Sequence, residues 1–334
     1  MYKRRQILSF NQQKLVLFLM LVMIVSFTLI KPEFINARSV DNILRTFSMY
    51  GIASMGMTLV ILTGGTDLSA GSNMALAGVV GAGLLGNAIG AANPIKLPFI
   101  LTVVIALAVC GGIGCLNGLC IAKLHIAPFV STLATMSISR GFVYVVADFV
   151  VRGVSGSPIT FMNNGYYMIG LGNVWKIPIQ LLIFIFTFVL LYVMLKHTRV
   201  GRAVYTVGGN REVARLAGMQ SDNIILLCYT LCGALAGLSG LILVGKLSSA
   251  STVAAQGYEL DFITAVALGG TSMSGGNGGV VGTLIGTAFL AVMNNGLDMI
   301  NIPSFYQYLI KGAILVFAVY IDIFFQKRAE CNKQ

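Results

Sequence analysis

The stretch GGTDLSAGS, Gly64–Ser72, lies between two apolar runs, IASMGMTLVILT (Ile52–Thr63) and NMALAGVVGAGLL (Asn73–Leu85). Both runs have the composition of helix that sits in lipid, so the fold turns on how the aspartate between them is accommodated. A lipid-facing carboxylate at mid-bilayer costs about 2.5–3.5 kcal/mol on an insertion scale. Asp67 is therefore expected to face a cavity, a partner charge or the membrane surface. A glycine-rich break at membrane depth is tolerated only where protein or water satisfies the freed backbone groups, and such breaks tend to line cavities. A surface turn, with Asp67 capping a helix that begins near Leu68, accounts for the same residues.

The rest of the chain supports the membrane reading. Of 334 residues, 57% are hydrophobic and only 10% charged, and the mean hydropathy is +0.86. A soluble domain is about one quarter charged. At about 20 residues per crossing the apolar content suffices for roughly nine or ten helices, and long unbroken apolar runs disfavour the weak alternation of a barrel. The expected fold is an all-α integral membrane protein, a single domain over residues 1–334.

The net charge of +11 is not a nucleic-acid signature here, because the basic residues cluster in a pattern that orients a membrane protein. MYKRRQ with Lys14, KHTRVGR with Arg211 and Arg215, and the tail residues Lys327, Arg328 and Lys333 hold 12 of the 22 basic residues. All three groups are placed in the cytoplasm, in tails of about 1–14 and 326–334 and a loop of about 196–222. The other long loop, from Asp148 to Lys176, has only Arg152 and Lys176. Ten spans follow from the apolar runs: 15–30, 43–62, 72–92, 97–122, 127–148, 177–195, 223–245, 258–273, 278–298 and 305–325. The even count puts both termini on one side, as the charges require. The first span follows a basic segment as a signal peptide would, but no clear small-residue cleavage site ends it, so it is expected to be retained. The six cysteines form no CxxC and imply neither a disulfide framework nor a metal site.

The first break has an echo. GGTDLSAG at 64–71 returns as GGTSMSGG at 269–276, identical at five of eight positions, with Ser272 where Asp67 stood. A second echo pairs NGLCIAKLHIAPF from Asn117 with NGLDMINIPSF from Asn295. The spacing between echoes differs by 27 residues, about one span, which leaves the relative orientation of an internal repeat open. The candidates for a helix break or translocation path are Asp67, Ser69 and Gly71 in the first copy and Thr271 and Ser274 in the second. GALAG at 233–237, GCLNG at 114–118 and GTLIG at 282–286 are small-xxx-small patterns suited to close helix packing.

The loop HTRVGRAVYTVGGNREVARLAGMQSDN, His197–Asn223, contains a short helix signal. Asn210 can cap it, Glu212 suits its first turn and Gly218 can stop it. Val213, Leu216 and Ala217 then share one face, with Arg211 and Arg215 on another. Two turns are too short to be stable alone, so this helix needs a partner in this chain or another. GLILVGKL, Gly240–Leu247, matches the start of a phosphate loop, yet Leu247 stands where Ser or Thr should bind magnesium and the segment ends a membrane helix. His125 and His197 are too isolated for a zinc site or a serine triad. Any energy from ATP must come from another chain.

Four segments carry a resemblance: GMTLVILTGGTDLSAGS (Gly56–Ser72), TRVGRAVYTVGGNREVARLAGM (Thr198–Met219), GYELDFITAVALGGTSMSGGNGGVVGTLIGT (Gly257–Thr287) and NNGLDMINIPSFYQYLIKGAILVFAV (Asn294–Val319). Over about residues 15–325 the chain resembles the permease subunit of ribose- and galactoside-type ABC importers. That resemblance implies a ten-helix subunit of a bacterial plasma membrane, with ATP and magnesium held by a cytoplasmic ABC ATPase and no cofactor on this chain. It further implies an extracytoplasmic sugar-binding protein and a second membrane half, either another copy or a homologous permease. The short helix then docks on the ATPase, a coupling role that falls on Gly208, Gly209, Asn210, Glu212, Ala214, Arg215 and Gly218. The family's GGIDLSVGS pattern is altered here at Thr66 and Ala70, which leans toward galactoside-type relatives. Furanone-type signalling sugars and nucleosides are alternative solutes, and an ion-coupled secondary transporter using Asp67 is the rival of a different class.

Overall fold

The computed structural model describes residues 2–85, 95–151, 158–161 and 163–331. Among them are thirteen α-helices, and each of the ten predicted spans coincides with one. From the amino end these are α1 (Tyr2–Ile30), α2 (Ala37–Leu62), α3 (Ala70–Leu84), α4 (Phe99–Ala122) and α5 (Pro128–Val150). A short helix, α6 (Asn164–Leu171), precedes α7 (Ile179–His197). Two helices, α8 (Arg199–Gly209) and α9 (Arg211–Leu216), lead to α10 (Ser221–Leu247), α11 (Tyr258–Leu268), α12 (Val280–Met299) and α13 (Ser304–Cys331). Two-residue strands pair antiparallel: β1 (Ile159–Thr160) with β4 (Ser249–Ala250), and β2 (Asn173–Val174) with β3 (Ile177–Pro178). Helix α1 begins thirteen residues before its predicted span, and α13 runs through most of the predicted tail. Residues 86–92 of the third predicted span, Arg152 and Lys333 lie outside the described residues.

Six helices, α1, α4, α5, α7, α10 and α12, are long and apolar enough to cross a membrane on length and composition. Of the other four predicted spans, those of α2 and α11 fall short of that measure for reasons visible in the packing. Helix α2 is central: every residue from Ser48 to Leu62 is buried, against α10, α12, α7 and α11. A helix that touches protein on all sides can carry Ser48, Ser54, Thr58 and the buried Arg45 without meeting lipid. Arg45 is held by Asp41 at 2.7 Å and by Asn173 at 2.7 Å. Helix α11 is a fragment. The eleven residues of α11 span only about 16 Å at 1.5 Å per residue, half of a bilayer core of about 30 Å. The predicted span 258–273 accordingly stops at Leu268, and residues 269–279 form a break rather than helix.

The backbone before α11 is irregular too. Arg140, from the middle of α5, donates to the carbonyls of Thr252 and Ala254 at 2.9 and 3.0 Å. That is how non-helical backbone at membrane depth avoids orphaned acceptors.

The molecule has two distinct ends. Gln12 donates to Ala267 O at 2.9 Å, Gln13 to Gly269 O at 3.1 Å, and Arg211 to Ala122 O at 3.1 Å. The start of α1, both breaks, the end of α4 and helices α8 and α9 therefore share one end, with Lys14, Lys123, Lys196, Arg199, Arg202, Arg211 and Arg215. This is termed the basic end; α6 and the β-strands occupy the far end.

Candidate functional site

Both predicted breaks exist, and each begins with the same backbone device. Helix α2 stops at Thr63, Gly64 adopts φ +80°, and the amides of Gly64 and Gly65 return to Ile61 O and Val60 O at 2.9 and 3.2 Å. At the end of α11, Gly270 adopts φ +82°, with Gly270 N and Thr271 N returning to Ala267 O and Val266 O at 3.0 and 3.2 Å. These are left-handed helix stops that satisfy the last carbonyls, and they require glycine at the turning residue. The turning glycine is the first of the pair in one break and the second in the other, a register offset that the sequence match conceals.

Past the stops the two copies agree again. Asp67 Oδ1 accepts from Ser69 N at 2.9 Å and from Ser69 Oγ at 2.6 Å. At the matching place Ser272 Oγ accepts from Ser274 N at 3.3 Å. Asp67 is thus the cap of the turn that leads into α3, as its residue type suggested. It is not a surface residue: Asp67 and Ser69 have no solvent exposure. The Cys232 thiol lies beside the carboxylate, and Oδ2 has no hydrogen-bond partner among the described residues.

Asp67 opens onto a buried polar chain that the sequence reading did not identify. Asn117 Nδ2 donates to Ser69 Oγ at 3.1 Å, while its Oδ1 accepts from Thr135 at 2.7 Å and Ser131 at 3.1 Å. Ser139 donates to Asn73 Oδ1 at 3.0 Å. These bonds tie α3, α4 and α5 together, each contributing about 1 kcal/mol in a membrane setting. The signal was present as polar residues spaced along apolar helices, but which of them meet depends on helix rotation.

Gly71 packs against Ala255 O and the Glu259 carboxylate, Thr271 Oγ1 accepts from Gly279 N at 3.2 Å, and Ser274 is exposed.

The two breaks meet at the basic end. Gly276 N donates to Leu62 O at 2.9 Å, and a Cβ on Gly275 would lie 2.9 Å from Gly64 N. Gly208, at the end of α8, closes the same node, since a Cβ there would overlap Leu62 O and come within 2.7 Å of Gly276 N. Tyr205, one turn earlier, donates to Gly278 O at 2.9 Å. Helix α8 itself was read as loop, although Val200, Val204 and Val207 repeat at helical spacing and Thr198 accepts from Gly201 N at 3.2 Å as its cap.

The short helix after it matches the sequence reading closely. Asn210 Oδ1 accepts from Glu212 N and Val213 N at 2.9 and 3.0 Å, and Gly218, at φ +75°, ends the helix. Ala214 is fully buried in a cluster with Val60, Ile121, Ala122, Val207, Ile225, Tyr229 and Cys232. Tyr229 then donates to Thr66 O at 3.2 Å, one residue from Asp67. The other side of α9 is bare: Val213 is 53% and Leu216 86% exposed, with Glu212, Arg215, Ala217 and Gly218 also exposed. Gly209 has open space beside it.

The second sequence echo behaves differently from the first. His125 and Asn301 both take φ +57° in matching turns, yet the first turn lies at the basic end and the second at the far end. The breaks are related in parallel and these turns are inverted, so one repeat operation does not generate both echoes. Asn117 and Asn295 share a chemical role all the same, since Asn295 donates to Ser39 Oγ at 2.8 Å and accepts from Asn42 at 3.2 Å.

The phosphate-loop-like Gly240–Leu247 is the last two turns of α10, where Gly240 packs on the Met74 backbone. At the far end a cavity of about 340 Å³ opens between α2, α10, α11, α12 and α13. Beside it Lys311 pairs with the buried Asp261 at 2.7 Å.

A family model described as "Branched-chain amino acid transport system / permease component" matches residues 39–319. The ribose import permease of Escherichia coli strain K12 is 40% identical over 316 residues, covering 93% of each chain. The ribose import permease of Bacillus subtilis strain 168 is 38% identical over 313 residues, with 93% of this chain and 92% of the relative covered. The galactose/methyl galactoside import permease of Escherichia coli strain K12 is 33% identical over 328 residues and 96% of each chain. No solved structure gives a significant match.

Proposed function

The chain belongs to the family described as the permease component of the branched-chain amino acid transport system, and on that premise we propose that it is the membrane half of an ATP-driven importer for a monosaccharide such as ribose or galactose. The observation that carries the reading is the geometry of α9. A capped two-turn helix buries Ala214 against Val60 at the end of α2 and Tyr229 of α10 and leaves Val213 and Leu216 on a bare outer face. Such a face fits a groove on a cytoplasmic ABC ATPase, with Gly208, Gly209, Asn210, Glu212, Ala214, Arg215 and Gly218 forming the coupling segment.

In this reading the basic end is cytoplasmic, both termini lie there, and the chain sits in a bacterial plasma membrane. The far end receives sugar from an extracytoplasmic binding protein, and a second permease, identical or homologous, completes the pore. ATP and magnesium are held by the ATPase. Movement of α9 reaches the breaks through Gly208 and Tyr229, so Asp67, Ser69, Gly71, Thr271 and Ser274 act as the joints around which α3 and α12 shift.

Uptake of labelled ribose and galactose into vesicles, under ATP depletion and separately under an uncoupler, tests this. Loss on ATP depletion alone supports the importer. Loss on uncoupling alone would instead identify an ion-coupled transporter.

A further inference from the structure

At the basic end a second cavity, of about 410 Å³, opens between α1, α7, α8 and the break that leads into α12. Its lining includes Lys196 and Arg202 and no acidic residue. Lys196 Nζ donates to Tyr192 Oη at 2.7 Å and lies 5.1 Å from the centre of that ring, so two of its three N–H groups stay uncommitted. Arg202 is exposed, and its guanidinium has no hydrogen bond or ion pair among the described residues. The glycine-rich run 276–282 supplies another wall. There the amides of Asn277, Gly278, Val280 and Val281 have no acceptor among the described residues. A cavity with two cations, no carboxylate and spare N–H donors suits an anion with several oxygens, and a guanidinium fork matches phosphate.

The depth of the cavity narrows the source of that anion. The apolar part of α1 starts at Gln12 and α7 ends at His197, so Gln13 and Lys196 set the cavity where both helices leave the lipid. Leu17 and Val189, both exposed, follow one turn deeper on the same helix faces as Gln13 and Tyr192. Val281 is exposed as well, at the start of α12, which packs against α1 and α7. The polar cavity is thus continuous with apolar surface that meets lipid chains. A soluble anion makes no use of that continuation, whereas a phospholipid fills both parts. Basic pockets between helices on the cytoplasmic side are a recurring means of holding anionic headgroups.

We propose that this cavity holds the phosphate of an anionic phospholipid between Lys196 and Arg202, with the acyl chains laid along Leu17, Val189 and Val281. The site depends on the chain spanning a membrane and not on the solute it carries, so its failure leaves the importer reading untouched.

The test titrates the full chain, delipidated in detergent, with phosphatidylglycerol and with phosphatidylcholine of the same chain length, and reads binding by native mass spectrometry. Phosphatidylglycerol should bind more tightly. Lys196→Gln and Arg202→Gln should each weaken it about fivefold, the worth of one basic residue beside an anionic headgroup, and leave phosphatidylcholine unaffected. Arg202→Lys should keep most of the preference. Lys123→Gln, at an exposed position of the same end outside the cavity, should keep all of it. Lys196 and Arg202 are exposed, so the thermal transition should not move in either variant. Equal binding of the two lipids by the wild type, a preference that survives the double Lys196→Gln, Arg202→Gln variant, or one that Lys123→Gln weakens as much would overturn the proposal. Inorganic phosphate and glycerol phosphate are then added as competitors at the concentration of the lipid. Retention of phosphatidylglycerol supports the lipid site; its displacement by either would overturn it and make the occupant a soluble anion.

Discussion

Gly276 N and Leu62 O, 2.9 Å apart, join the two glycine breaks by a single main-chain hydrogen bond. Gly208 sits against that bond with no room for a side chain. At this node the coupling segment and both broken helices thus touch through backbone, and backbone contacts transmit displacement without rotamers to absorb it.

Replacing Gly208 with Ala should therefore spread the node. Overpacking at a tight site costs about 1–3 kcal/mol, and sugar uptake by the assembled transporter should fall steeply. Gly112→Ala, facing open space on α4, should transport normally. Parallel uptake assays of the two variants measure this, and equal activities would show that the node is not mechanically important.

Removal of the Asn210 cap should fray α9. Asn210→Ala frees two amides and is expected to cost about 1 kcal/mol, lowering recovery of the ATPase when the tagged permease is purified. Asn210→Asp or Asn210→Ser should restore it.

Leu216→Asp changes a side chain that is 86% exposed, so the thermal transition of the permease should not move. Its association with the ATPase should weaken, as seen by quantitative pull-down. Unchanged association would remove α9 from the interface.

Asp67→Asn keeps an Oδ1 acceptor for Ser69, and it should leave stability and uptake close to wild type. Asp67→Ala deprives a buried amide of its partner, a loss of about 1–3 kcal/mol, and should lower the melting temperature. Loss of uptake in Asp67→Asn at unchanged stability would make the ionised carboxylate essential and favour the ion-coupled alternative.

Lys311→Met leaves Asp261, whose side chain is 3% exposed, as an uncompensated buried acid. Breaking such a pair costs about 3–5 kcal/mol. The double variant with Asp261→Asn should recover most of that loss in a thermal-shift experiment.

The sequence located the helices well because lipid imposes long apolar runs that leave little freedom of interpretation. The capped turn at Asn210–Gly218 was equally legible, since Asn, Glu and Gly have local roles that need no tertiary partner. Legibility ended where helices meet. Asn117 looks like a lone amide in an apolar helix and Ser139 like one of several hydroxyls along α5, and only their rotation toward α3 gives them a function. Arg140 was passed over because its acceptors, Thr252 and Ala254, belong to backbone that the apolar pattern does not mark as irregular. Helix α8 was hidden by its glycines, which lower helix propensity yet permit the contact at Gly208. The second echo misled because two similar turns at opposite ends share the same local chemistry.

The central position of α2 also constrains how the protein is made. Its principal neighbour α10 begins roughly 160 residues later in the chain. At about 5–20 residues per second the ribosome delivers that stretch in roughly 8–30 s. Until then Arg45 and the hydroxyls of α2 have no finished interior to enter. The insertion machinery must shelter this helix through the emergence of α3 to α9, and nascent chains arrested before Ser221 should remain crosslinkable to it through α2.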